Sequence, residues 1–160
     1  MVVALVAAVA IVPTITEPAA AALRPRAALL HRLNQVRAAH HLAPVYPTRT
    51  LRRTARGHSD DMLVRDYFAH TSPTGVTFSD RIARSGFVSG YSWLGGETLA
   101  WGTGSRGSPR WTVRAWIHSP EHRAILLSTT YRWIGIARTC GRFNGYPNAC
   151  VWTADWIKRW

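Results

Sequence analysis

The stretch "WIHSPEHR", residues 116–123, places two histidines four positions apart. On an unbroken helix both rings would share a face, the arrangement of a metal clip. Ser119 and Pro120 stand between them. Serine is a preferred helix N-cap, and proline fits the first helical position because the missing N–H would have no partner there. The pair therefore ends one helix and starts another, with Glu121 and His122 in the new first turn. Even as one helix kinked at Pro120, the two rings would diverge. His122 at a helix start meets the positive end of the dipole, which favours neutral imidazole, while Glu121 beside it pulls the other way. His118 is left at a helix end with no assigned role.

Moving outward, Ser108-Pro109 repeats the cap-and-proline signal and opens the helix that carries "RWTVRAWIH". Toward the N-terminus, Leu29, Leu30, Leu33, Val36 and Arg37 recur at helical spacing and predict a helix over Arg26–Leu42. A second helix is predicted over Arg49–Arg65, although Gly57 weakens its middle. A short third helix is predicted over Thr77–Gly86, with Thr77 or Ser79 as its cap. The Gly- and Ser-rich segment 86–109 reads as irregular, with one strand near Glu97–Trp101. "YRWIGIART" and "ACVWTADW" alternate with period 2 and predict a hairpin around a turn-rich loop. All eight tryptophans lie at or beyond Trp93. Packing of a sheet and core explains such rings better than an aromatic ligand platform.

The chain of 160 residues has a one-domain length, and 47% hydrophobic against 18% charged residues excludes wholesale disorder. The formal net charge is +12, which favours anionic partners such as nucleic acid, lipid or wall polymers. Lys158 is the single lysine among 20 basic residues, and the arginines are scattered. Without a run of basic residues, specific nucleic-acid recognition is not expected. Residues 1–22 read as an export signal: an apolar run from Val2 to Val12, then small residues Ala19–Ala22 at an A-x-A-like cleavage site, though no basic residue precedes Arg24. The run is too short to span a bilayer. Cys140 and Cys150 bracket "GRFNGYPNA". An exported chain favours a disulfide there, and two buried thiols are the alternative.

Two positions stand out chemically. His70 opens the turn-rich "HTSPTG", and Glu97 follows Gly95-Gly96 within the apolar "LGGETLAW". A carboxylate in apolar surroundings must be paired, hydrogen-bonded or directed into a wet cavity.

The ordered set "LNQVR", "HSDDM…YFAHTSPTG…DRI", "GGETLAWG", "AWIHSPEHRAIL" and "WIGIAR…VWTADW" resembles the CAP superfamily (cysteine-rich secretory proteins, antigen 5 and pathogenesis-related proteins; the SCP domain) in its compact bacterial branch. The resemblance covers about Arg26–Trp156 and implies an α+β fold, an α-β-α sandwich with a small antiparallel sheet between helical layers. On it, residues 1–22 are the signal peptide and 23–160 the CAP domain. It also implies a cavity lined by His70, Glu97 and His122, which in some members holds a divalent metal such as Zn. Here Thr98 stands where the family has Asn after the glutamate, and Ile125 replaces the Asn of "H-R-x-N-I-L". The second histidine and second glutamate of eukaryotic members have no counterpart, so a four-ligand cavity is not assured. No activated nucleophile is visible, and no G-x-S-x-G elbow is present. The resulting expectation is a secreted or envelope-associated monomer, a non-catalytic module for a small apolar or lipid-like ligand or an anionic envelope polymer. The alternative is a metal-dependent hydrolase in which His70, His122 and Glu97 hold Zn²⁺ or Glu97 activates water. A third reading makes the triad a structural hydrogen-bond network.

Overall fold

The computed structural model describes residues 24–160; the expected export signal lies outside them. The α-helices and strands follow in order, α1 (Pro25–Ala39), β1 (Tyr46–Pro47), α2 (Arg49–Arg65), α3 (Phe78–Arg84), β2 (Trp93–Thr103), α4 (Pro109–His118), α5 (Pro120–Leu126), β3 (Trp133–Phe143) and β4 (Tyr146–Arg159), with a 3-10 turn over Gly104–Gly107 between β2 and α4. The strands form one sheet in the order β1-β3-β4-β2. This is the expected α+β sandwich, with α1, α4 and α5 on one face and α2 and α3 on the other. One detail differs from an antiparallel sheet. β1 runs parallel to β3, pairing Tyr46 with Trp133 and Pro47 with Ile134. That pairing joins residues nearly ninety positions apart and rests on two residues, one of them a proline, so no local periodicity announces it.

The helix starts follow the cap signals. Thr77 and Asp80 form a reciprocal capping box on α3, and the Ser108 hydroxyl accepts from the Trp111 N–H at the head of α4. Ser119 is both the last residue after α4 and the residue before α5, as its position beside Pro120 requires, but its hydroxyl makes no cap bond. The first helix ends three residues earlier than periodicity predicts. His41 adopts a left-handed conformation (φ 57°), and the N–H groups of His41 and Leu42 bond back to Ala38 and Arg37 carbonyls. This closure is usually built on glycine, and histidine in its place hides the stop from the sequence.

β2 is an eleven-residue strand, longer than the sequence predicts, and it runs through Gly95-Gly96. Its glycines are packing residues. A Cβ on Gly95 would sit 2.8–2.9 Å from Trp93, Ile157 and Phe78 side chains, and one on Gly96 would press on Ile125 of α5. Gly135 of β3 is tighter still, with the Leu51 carbonyl carbon 2.2 Å from a built Cβ, so α2 lies directly on the sheet there. β3 and β4 extend past the cysteines to a two-residue turn, Asn144-Gly145, both with positive φ. That twist matches the strands of a tight hairpin. Cys140 and Cys150 are directly opposite in this ladder and form a disulfide, so the bridge staples two strands rather than closing a loop.

Candidate functional site

On the α2 side of the sheet, inward-facing positions of β2 and β4 carry Glu97 and Asp155, which are cross-strand neighbours. Both residues are buried. Glu97 survives burial by being fully engaged. Its Oε1 accepts a 2.8 Å bond from His70 Nδ1, and its Oε2 accepts a 2.7 Å bond from the Arg81 guanidinium. His58 Nε2 lies 3.8 Å from the same Oε1. Burial alone would raise the Glu97 pKa; the His70 bond, the Arg81 charge and His58 outweigh it and hold the carboxyl below its ordinary range.

Each partner comes from a different element. His58 projects from the inner stripe of α2, with Leu51, Ala55, Ser59 and Met62. Its Nε2 donates to the Ala69 carbonyl at 3.0 Å, which places the proton on that nitrogen. Burial is the main cause of its lowered pKa, so neutral imidazole is favoured. Arg81 on α3 also donates to the His70 and Val76 carbonyls, at 2.9 and 3.2 Å, and thereby ties the α2–α3 loop to the sheet. His70 sits in that loop. Its Nδ1 proton is committed to Glu97, while the ring as a whole is more than half exposed.

Asp155 is the opposite case. Neither of its buried oxygens has a hydrogen-bond partner, and burial, then the Glu97 charge, pushes its pKa well above the ordinary value. Protonated, it becomes a donor to Glu97 across the strands; ionised, it would be an orphaned charge.

Of the three residues read from the sequence, His70 and Glu97 are in contact. His122, half-buried at the start of α5, makes no hydrogen bond to either among the described residues. Burial lowers its pKa, and the proximity of His70 lowers it further, so it stands within electrostatic range of the cluster. His118 is exposed at the end of α4. Sequence reading missed His58, Arg81 and Asp155. A signal existed for two of them. His58 falls on the helical stripe of Leu51, Ala55 and Met62, and Asp155 falls at the inward parity of Val151 and Ile157. A cavity of about 270 Å³ opens over the cluster, walled by His58, Asp61, Ser72 and Arg81 rather than by His70 or His122.

Metal chemistry can be tested on these side chains. Among the described residues no group of three or more His, Cys, Asp or Glu side chains is arranged to hold a metal ion. Glu97 has a guanidinium at 2.7 Å and an imidazole proton on its other oxygen, so a cation there would face the Arg81 charge and displace a hydrogen bond. The residues present do not fit a three-ligand Zn²⁺ centre.

The cysteine-rich secretory protein (CAP) family profile matches residues 30–156, and the chain belongs to that family. It is 31% identical over 127 residues to the uncharacterized protein YkwD of Bacillus subtilis, covering 79% of this chain and 44% of that protein. It is 30% identical over 132 residues to the uncharacterized membrane protein YlbC of the same organism, covering 82% of this chain and 34% of that one. Among solved structures, an extracellular protein containing an SCP domain from Bacillus anthracis superposes with a TM-score of 0.69 at 26% identity, over 84% of this chain and 40% of that one. The chain thus spans less than half the length of each of these relatives.

Proposed function

We propose that the protein is a non-catalytic binding module acting outside the cell or at its envelope. The observation that carries this reading is the engagement of both Glu97 oxygens. A carboxylate held by Arg81 and kept below its ordinary pKa is a poor general base, and a metal would have to compete with the Arg81 guanidinium and the His70 ring for its oxygens. The cluster instead fixes the α2–α3 loop and α3 against the sheet and builds a rigid floor under the cavity. The disulfide supports an oxidising compartment, and the extracellular description of the Bacillus anthracis relative supports the location. Partners in keeping with the composition are a small apolar or lipid-like ligand or an anionic envelope polymer, bound by a monomer. Among the described residues no helix is long and apolar enough to cross a membrane.

The hydrolase reading retains one feature, the exposed His70 ring with its Nδ1 proton oriented by a carboxylate. Titration with Zn²⁺ separates the two. Equal, negligible uptake by wild type and His70→Ala is expected, together with retention of wild type on isolated envelope at moderate salt. Stoichiometric Zn²⁺ uptake that His70→Ala abolishes would overturn the proposal.

A further inference from the structure

A larger cleft, of about 620 Å³, lies elsewhere on the fold, between the start of α1, the first turns of α2 and the middle of β3. Its rim carries Arg24, just before α1, Arg26 from α1, Arg52, Arg53 and Arg56 from α2, and Arg138 from β3. The one acidic residue lining it is Asp60, and Asp60 is already paired with Arg56 at 2.8 Å. Six of the nineteen arginines are thus gathered by the fold at one place, in excess of the acid lining it. Burial, then the charges of Arg52 and Arg24, lowers the Arg26 pKa. Arg138 is held ready by stacking, its guanidinium 5.4 Å from the ring centre of the wholly buried Trp152, and its buried Nε has no partner.

We propose that this cleft is a binding site for a soluble polyanion carrying closely spaced phosphate groups, seated across α1, α2 and β3. Guanidinium forks match phosphate oxygens two at a time, and several forks around one concavity suit a ligand with repeated charge. The concave shape and its lining argue against a bilayer surface. None of the exposed large apolar side chains among the described residues lines the cleft, so no large apolar anchor is offered there to a membrane interface. The site lies beside β3, two strands across the sheet from Glu97 on β2. It deepens the proposed binding role by giving it an anion site, and its failure is distinguishable because envelope retention and Zn²⁺ uptake are scored separately.

The test uses the disulfide-bonded protein and end-labelled inorganic polyphosphate, with binding followed by fluorescence anisotropy at about 0.1 M salt, where the Debye length is ~10 Å. Arg26→Gln/Arg53→Gln removes one exposed cleft arginine from each helix. Arg110→Gln/Arg114→Gln makes the same charge change on exposed positions of α4 outside the cleft. Melting temperatures confirm that both variants fold. The cleft variant is expected to bind about tenfold or more weakly, while the α4 variant changes less than about threefold. Losing two phosphate contacts should also flatten the log–log salt dependence by roughly 1.4, at about 0.7 per contact. Equal loss in both variants would reduce the effect to general charge and overturn the proposal. So would absence of wild-type binding, equally tight binding of polyglutamate, or binding of phosphatidylglycerol vesicles in place of polyphosphate.

Discussion

Both faces of the sheet pack apolar side chains, but only the face under α2 and α3 also buries acidic side chains against the strands. Facing α1, α4 and α5, the inner surface is apolar: Leu29, Leu33, Val113, Trp116, Leu126, Ile134, Trp152 and Trp156 pack together. The only polar atoms its tryptophans bring are indole N–H groups, and each finds an acceptor: Leu99 O, Gly107 O and Thr98 Oγ1. Facing α2 and α3, the same sheet buries Glu97 and Asp155 beneath His58 and Arg81. Apolar packing tolerates many volume-conserving solutions, whereas a buried charge tolerates only the geometry that compensates it. Apolar packing on both faces holds the layers together, and the polar cluster on the α2–α3 face fixes the position of the loop that carries His70.

The strongest test removes a ring from the apolar face. Trp156→Ala should destabilise by about 4 kcal/mol in urea unfolding, from lost transfer energy plus the cavity left behind. Next comes a cut in the polar network. Arg81→Leu should destabilise by about 3 kcal/mol, because it strands the Glu97 carboxylate out of water. Adding Glu97→Gln to Arg81→Leu should recover part of that loss, since the stranded charge is gone. If the double variant is merely the sum of the two single ones, the network is not coupled and the contrast between the faces fails.

A pH series sharpens the comparison further. Asp155 has a folded pKa raised above its unfolded value of about 3.9, so its protonated form contributes stability fully present below about pH 4 and lost as pH rises toward the folded pKa. Asp155→Asn removes that dependence. The melting temperature of the variant relative to wild type should therefore rise between pH 4 and pH 8, and a gap independent of pH would show that Asp155 does not titrate with folding. The smallest effect belongs to the surface. Arg56→Ala breaks an exposed i,i+4 pair with Asp60 and should change stability by less than about 1 kcal/mol.

Much of the scaffold was legible residue by residue. Thr48 caps α2 at the predicted start, Ser108-Pro109 and Ser119-Pro120 begin α4 and α5, and the period-2 runs form the hairpin. These signals are local, involving a backbone group and a side chain within four residues. Signals fail where the reason is remote. Gly95 and Gly96 look like loop formers but lie within a strand because Phe78, Ile157 and Ile125 leave no room for a side chain. Arg37 shares a helical stripe with leucines. It is buried because its guanidinium meets the Ala43, Leu126 and Ser128 carbonyls, clamping the end of α5 to α1. In the site, sequence context and family resemblance both marked His70 and Glu97, whereas the further partners that make a buried Glu97 tolerable, His58 and Arg81, come from α2 and α3.

The segment 116–123 shows where the division falls. The sequence by itself determined that Ser119-Pro120 separates His118 from His122, since a proline with no N–H to give and the caps around it are properties of neighbouring residues. It likewise determined the helix starts, the hairpin and the basic charge. Only the tertiary structure decided that Glu97 is held by Arg81 and His70, that Asp155 has no partner unless protonated, and that arginines scattered over more than a hundred positions line one cleft. The physical reason is range: caps and periodicity act within a turn, whereas charge compensation and close packing act between elements that meet only when the chain folds.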